Sequence, residues 1–441
     1  MKRSSLLAAL LFIPLSARAE QYTLRQCADY ASANSPEVKE LALGAQNYRA
    51  SEAEARAARQ PKISLLTYAA PAYKVTGNAQ DYHNDYGVWG PYYHAKLEAQ
   101  LPLYTWGKLD SYIGAAQGGA KVAEGEAQQK RCEVIYEVKK YYNGLLLARR
   151  LKRTVEDALK VLDEAIEKAD KLYAAGDGEV KKSDLEMLKV YLAEAEKNRH
   201  LADKSATMAR LALMQKMGMD ENPDFDIADT QLRKEEGELG PVETYVEKAF
   251  NSRPEWGMLQ HGIRARKLLV DAEKADQYPL IFLAGEAVYN NSSVRDDQKN
   301  PWLNDPYNGF TGGIAVGAKF DITPAAWKAR ISSRQADVDK LREKETFARK
   351  GIVLQVKNAW HTAKEAEANI ESARKGLDAA QRWVMAAGLV YGIGTGEARD
   401  ALEGVAAKAK AEKDYYQAIY DYNMALADLA KACGTDTAGG D

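Results

Sequence analysis

Asp400 and Glu403 stand three residues apart, a spacing that puts both carboxylates on one face of a helix. Acids placed this way either draw cations to that face or are ordinary solvated charges, and the rest of the chain must decide between the two. It offers them no catalytic company. The five histidines, His83, His94, His200, His261 and His361, are scattered, and none has a metal-ligand spacing to a cysteine or to another histidine. The run GIGTG at 392–396 resembles half of a phosphate-binding loop, but it lacks a preceding strand and a P-loop lysine, so it reads as a turn. No GxSxG or comparable nucleophile motif is present. The expectation is a protein that is not an enzyme, with no catalytic residue, no metal and no cofactor. Cys27, Cys132 and Cys433 form neither a CxxC pair nor a disulfide framework; they read as free buried thiols, with a Cys27–Cys433 bridge as the alternative.

The glycines of the turn need a reason, because long helical sequence lies on both sides of them. Each glycine inside a helix costs up to about 1 kcal/mol against alanine, so the cluster argues that a helix stops and turns back. An earlier stretch does the same. Tyr173, Gly176, Gly178 and Glu179 match Tyr391, Gly394, Gly396 and Glu397, each pair 218 apart (391 − 173 = 218). The same offset links Ala31 with Ala249, Pro36 with Pro254, Pro61 with Pro279, and Val138–Lys139 with Val356–Lys357; beyond the turns it falls to 216, pairing Gly218 with Gly434 and Asp220 with Asp436. One offset held across separate segments marks a tandem duplication.

Proline usage draws the plan of each copy. There is none between Pro102 and Pro223 and none after Pro324, so those tracts are the predicted long helices. Apolar residues step by three or four along them, through Leu151, Val155, Ala158 and Leu162 in the first and Ile370, Ala373, Leu377 and Ala380 in the second. The alanine-rich seam favours an extended coiled coil over a thick core. From Leu109 to Leu172 one helix would run about 95 Å at 1.5 Å per residue.

Before each long helix the period changes to two. Tyr93, Ala95, Leu97, Ala99 and Leu101 share one face, opposite His94, Lys96, Glu98 and Gln100; in the second copy Ile314, Val316, Ala318 and Phe320 oppose Ala315, Gly317 and Lys319. Strands are predicted at about 63–75 and 91–102, joined by residues 76–90, and at about 280–289 and 310–322. His94 and Lys96 would line a wet lumen. Four strands cannot close a barrel, and an open edge is not tolerated in lipid, so other subunits must close it. Three copies supply 12 strands, within the outer-membrane range, whereas two supply 8, too narrow for a pore. The 25 tyrosines against 7 phenylalanines suit a bilayer interface.

Export is written at the N-terminus. MKRSSLLAALLFIPLSARAE has two basic residues, an apolar run and the small-x-small site ending at Ala19, which reads as a signal peptide at 1–19. The remaining plan is a first repeat over 20–220 with its hairpin tip at about 173–182, a linker at 221–240, a second repeat over 241–436 with its tip at about 391–398, and a flexible tail at 437–441. Nothing after residue 20 is long and apolar enough for a spanning helix, and a net charge of −2 with 28% charged residues gives no sign of nucleic-acid binding.

This pattern resembles the TolC-type outer-membrane efflux and secretion channels (outer membrane factors) over essentially the whole mature chain. The residues that carry the resemblance are the duplicated tips, PLYTWGKL leading into the long helix, and the helix ends ALMQKMGMD and ALADLAKACGTD. It implies a mainly helical fold whose tandem-duplicated hairpins form a trimeric α-barrel, with four strands per protomer contributing to a 12-stranded outer-membrane β-barrel. It implies an outer-membrane location extending into the periplasm, and a passive exit duct of a tripartite efflux pump or type I secretion system. The implied partners are two further copies in a homotrimer, a periplasmic adaptor (membrane fusion) protein, an RND-type or ABC-type inner-membrane transporter and outer-membrane lipid. By position, Asp400 and Glu403 match the carboxylates of the periplasmic constriction, Tyr391 an aromatic of the closed state, and Asp184 a partner acid. Gly176, Asp177, Gly178, Gly394, Thr395 and Gly396 match the tips that dock the adaptor. One position departs: Gly396 stands where the family can carry a basic residue, and Arg399 is the nearest substitute. Three-fold symmetry would bring six carboxylates from Asp400 and Glu403 toward one axis, a ring that favours cations. The second reading is a soluble periplasmic coiled-coil scaffold or adhesion protein.

Overall fold

The computed structural model describes residues 21–77, 81–175, 181–221, 224–298, 300, 302, 305–392 and 398–435. The expected signal peptide and tail therefore lie outside the described residues. In chain order the elements are β1 (Gln21–Tyr22), α1 (Leu24–Asn34), α2 (Pro36–Ala57), β2 (Lys62–Gly77), β3 (Tyr82–Tyr104), α3 (Lys108–Ala175), α4 (Lys182–Met217), β4 (Asp226–Ile227), α5 (Val242–Ser252), α6 (Pro254–Ala275), β5 (Leu280–Ser292), β6 (Gly309–Lys319), α7 (Pro324–Gly392) and α8 (Ala398–Cys433). The two long helices have 68 and 69 residues, and each returns through one of 36.

Two compact units draw on both halves of the chain: Met1–Glu40, Gln128–Arg253 and Gly351–Asp441 form the first, and Leu41–Ala127 with Pro254–Lys350 the second. The first unit holds a conventional core. Cys27, Val134, Val138, Tyr142, Leu145, Leu213, Met217 and Phe225 pack together fully or almost fully buried. The local chemistry that frames this core is repeated. Both α4 and α8 stop at a glycine in the left-handed region, Gly218 and Gly434, each with φ 72°. Each closes a Schellman motif, through Met219 N–H donating to Met214 O at 3.0 Å and Thr435 N–H donating to Ala430 O at 3.0 Å. A Cβ at Gly218 would sit 2.7 Å from Asn34 O and one at Gly434 2.5 Å from Arg253 Cα, so glycine is needed for conformation and for clearance. Those contacts fall where α1 gives way to α2 and α5 to α6, each second helix opening on a proline suited to its first turn.

Residues 221–240, expected as a linker, contain a strand. β4 pairs with β1 in parallel, and Asn423 of α8 holds the segment after it: its carboxamide donates to Arg233 O at 2.8 Å and accepts from Glu235 N–H at 3.0 Å. The three cysteines are free and buried, so Cys27 and Cys433 are not bridged.

The second unit holds a four-stranded antiparallel sheet in the order β2-β3-β5-β6. The first hairpin is longer than alternation suggested: β3 begins at Tyr82, so residues 78–81 connect the strands rather than 76–90. The cause is a bulge. Tyr73 pairs with Trp89 but Lys74 with Asp85, so the intervening residues leave the ladder and break the period-two pattern. At the other edge β6 ends at Lys319 rather than 322, since Pro324 already opens α7.

Register sorts the two faces. One carries Ile63, Leu65, Ala95, Leu97, Leu283, Tyr289, Ile314 and Val316; the other carries Ser64, His94, Lys96, Glu98, Gln100, Glu286 and Asn290. The apolar face is bare: Leu65 is 67% exposed and Ile314 81%. Among the described residues no helix is long and apolar enough to cross a membrane.

Candidate functional site

The acids singled out in the sequence lie at the start of α8, in the first unit. Leu402 anchors this turn: it is buried with Leu162 and Ala169 of α3 and Leu185 and Leu188 of α4. Gly404 faces α7, where an added Cβ would stand 3.5 Å from Val384 Cα. With those positions committed to packing, Asp400 is left exposed, with no hydrogen bond or ion pair among the described residues. Glu403 is half-buried and accepts from Arg399 Nε at 2.8 Å, one helical turn earlier. An exposed i,i+4 pair contributes only about 0.3–0.5 kcal/mol, which leaves Glu403 available to other partners.

Tyr391 stands in the last turn of α7. The Lys168 ammonium of α3 lies 5.5 Å from its ring centroid, a cation–π contact between the two long helices. Its partners are 223 positions apart (391 − 168 = 223), and nothing in the local sequence marks Lys168. Asp184, in the first turn of α4, has a structural role in this chain: its Oδ2 accepts the Lys181 N–H at 3.1 Å, satisfying a backbone donor that the helix start would orphan. Asp184 and Asp400 are 216 apart, the offset that relates the two copies beyond their turns. Gly176, Asp177, Gly178, Gly394, Thr395 and Gly396 lie outside the described residues.

Between α3, α4 and α8 runs a groove of about 610 Å³, lined by small and apolar side chains such as Ala158, Ala195, Leu201 and Val405 and bounded by Glu194, Lys410 and Lys413. Basic residues of α3 stitch its neighbourhood: Arg150 pairs with Glu412 and lies 4.6 Å from the Tyr416 ring centroid, and Lys152 pairs with Asp203 at 2.7 Å.

In the second unit the polar face of the sheet forms a charged cluster that the sequence showed only in part. Lys96 Nζ lies 2.6 Å from Glu98 and 3.0 Å from Glu286, residues that face each other across β3 and β5. Lysine offsets the repulsion of two like charges placed opposite one another. His94 Nδ1 is 2.7 Å from Asn290 Oδ1, which also accepts from the Tyr92 hydroxyl at 3.1 Å. Glu286 and Asn290 escaped sequence reading because alternation in β5 is masked by alanine and glycine. No group of three or more His, Cys, Asp or Glu residues among the described residues is arranged to hold a metal ion.

A family model described as outer membrane efflux protein matches residues 28–219 and 245–435. Several solved structures are similar to the chain. The CmeC outer membrane channel of Campylobacter jejuni shares 17% identity over 94% of this chain and 86% of that one, with a TM-score of 0.76. The outer membrane protein VceC of Vibrio cholerae shares 18% over 93% and 96%, with a TM-score of 0.74. The open state of the MtrE outer membrane channel of Neisseria gonorrhoeae shares 19% over 94% and 89%, with a TM-score of 0.71. At such identities the likeness is one of fold. No curated protein matches the sequence.

Proposed function

This chain belongs to the outer membrane efflux protein family and is an outer-membrane channel extending into the periplasm, and on that premise we propose that three copies build the duct and that α8 gates it. The observation that carries the proposal is the sheet: four strands, an exposed apolar face, and open edges at β6 and, before Val75, at β2. Lipid can cover the face but cannot satisfy the edges, so β2 of one copy pairs with β6 of the next until a 12-stranded barrel closes. The polar face then lines the lumen.

The halves 20–220 and 241–436 act as two equivalent repeats joined through 221–240, a reading supported by the two separate stretches that the family model matches. Their hairpin tips, including Gly176, Asp177, Gly178, Gly394, Thr395 and Gly396, dock a periplasmic adaptor protein, through which an RND-type or ABC-type inner-membrane transporter supplies the energy. Beyond the second tip, Asp400 and Glu403 from three copies ring the narrowest point and select for cations. Tyr391, held by Lys168, and Asp184, which fixes the start of α4, steady the surrounding helices.

Mass measurement in detergent and planar-bilayer conductance test this together. The expected result is a trimer whose preference for potassium over chloride falls when Asp400→Ala and Glu403→Ala are combined. Unchanged selectivity would remove these acids from the constriction, and recovery of the protein from the soluble periplasm without detergent would overturn the duct.

A further inference from the structure

Residues 293–298 and 305–308, between β5 and β6, do not stand away from the sheet. Past Ser292 the chain first follows β3, Ser293 N–H donating to Pro91 O at 3.4 Å, and then crosses that strand to reach β2. There Val75 N–H donates to Val294 O at 3.0 Å, Asp296 N–H donates to Val75 O at 3.3 Å, and Gly77 N–H donates to the Asp296 carboxylate at 3.1 Å. The crossing passes over Gly90, where a Cβ would stand 2.4 Å from Val294 Cγ1 and 2.9 Å from Ser293 Oγ. Gly90 pairs with Ala72, and both share the face of Tyr92, His94 and Lys96. The connection therefore lies on the polar side of the sheet, at the end remote from the helices, and it buries Ala72 there.

The returning limb rests on the same face. Tyr307 packs edge-on against Tyr92 with ring centroids 5.7 Å apart. Asp305 shapes this limb by accepting three backbone N–H groups, from Gln298 at 2.8 Å, Tyr307 at 2.9 Å and Asn308 at 3.0 Å. One side chain joins the two limbs to the strand: the Arg295 guanidinium lies 4.1 Å from the Tyr307 ring centroid and 4.6 Å from that of Tyr73, the last residue of β2 before the bulge. A planar cation stacked on two rings suits arginine better than lysine.

We propose that residues 293–298 and 305–308 form a cover over the outer end of the duct, and that Arg295 is the residue that positions it. The proposal rests on the trimeric duct, in which the polar face is the lumen, and adds a constriction distinct from the acids of α8. A cover held by stacked rings and short backbone rungs opens without unfolding the barrel. Cargo leaving the duct would displace it, while solutes outside would meet it closed.

Labelling of intact cells tests the assignment. The three native cysteines are buried, so a single introduced thiol reports alone. Ser64→Cys places it on the polar face well below the cover, and a polyethylene-glycol maleimide added outside must pass the cover to reach it. The expected result is slow labelling, about tenfold faster when Arg295→Ala removes both cation–π contacts. Gly90→Val, which fills the crossing without changing a residue of the loop, should have the same effect, whereas Arg295→Lys, which keeps a cation over the rings, should stay within about twofold of the parent rate. Rates unmoved by Arg295→Ala and Gly90→Val overturn the cover; Arg295→Lys as fast as Arg295→Ala overturns the role of the stacked charge. Asp297→Cys, on the exposed part of the connection, is the orientation control. Its labelling alongside unmoved Ser64→Cys rates would overturn the cover alone, while its failure to label from outside would overturn the duct and the cover with it.

Discussion

Tyr142 and Leu65 are both large side chains in regular elements, yet Tyr142 is 1% exposed and Leu65 67%. Tyr142 sits among Val138, Leu145, Met217 and Phe225, and its hydroxyl donates to the Asp229 carboxylate at 2.6 Å. Leu65 sits on a sheet face that the described residues of its own chain leave exposed. The first region brings its own apolar surroundings, and the second leaves them to a bilayer. Stability of this protein therefore has two solvents in it, and a substitution must be judged against the one its region meets.

The largest expected effect is in the self-covered region. Tyr142→Ala should cost about 3–5 kcal/mol in chemical denaturation, because it opens a cavity in the core of the first unit. Ile314→Arg should follow, at about 2–4 kcal/mol per copy in lipid, seen as loss of the assembled trimer from outer-membrane fractions, while Ser64→Arg on the opposite face leaves assembly intact. If both arginines were tolerated alike, the contrast between the faces would be wrong.

A smaller effect comes from charge in the first unit. Lys216 lies 2.5 Å from Glu37 and 2.7 Å from Glu137. Burial opposes its charge, but the bonds to Glu137 and Glu37 outweigh burial and raise its pKa; the bond to Lys216 leads the causes that hold Glu37 below 4.5. The lowered carboxylate contributes stability above its unfolded value and loses it as pH falls through the folded one. The raised amine contributes fully below 10.5 and loses its part only as pH rises through its folded value. Lys216→Met should therefore cost about 1–2 kcal/mol at neutral pH, discounted for the exposure of Glu37, and flatten the acid limb of stability below pH 4.5. An acid limb unchanged by the substitution would rule out this cluster as its source. The smallest effect is at the start of α4, where Asp184→Ala should cost about 1 kcal/mol in chemical denaturation through its lost cap.

Much of the fold was legible because it rests on local period and on repetition. The offset of 218, the proline-free tracts and the two strand periods are properties of single segments, and each required only counting. The bulge at Tyr73/Lys74 was hidden because leaving the ladder for three residues erases alternation where the strand continues. At the candidate site, Asp400 and Glu403 could be placed on one helix face, and Arg399 joins Glu403 by the same helical spacing. Lys168 against Tyr391, Glu286 against Lys96, and Arg295 between Tyr73 and Tyr307 could not be read, since each joins residues far apart in the chain.

By itself the sequence determined what must be helix, what must be strand, which strand face repels water and that the plan is written twice, because backbone period and side-chain polarity act within a few residues. The tertiary structure alone decided that Lys168 meets the Tyr391 ring, and that the chain folds back over Gly90 instead of standing free. Both depend on which groups far apart in the chain come within reach of one another, and short-range patterns do not carry that information.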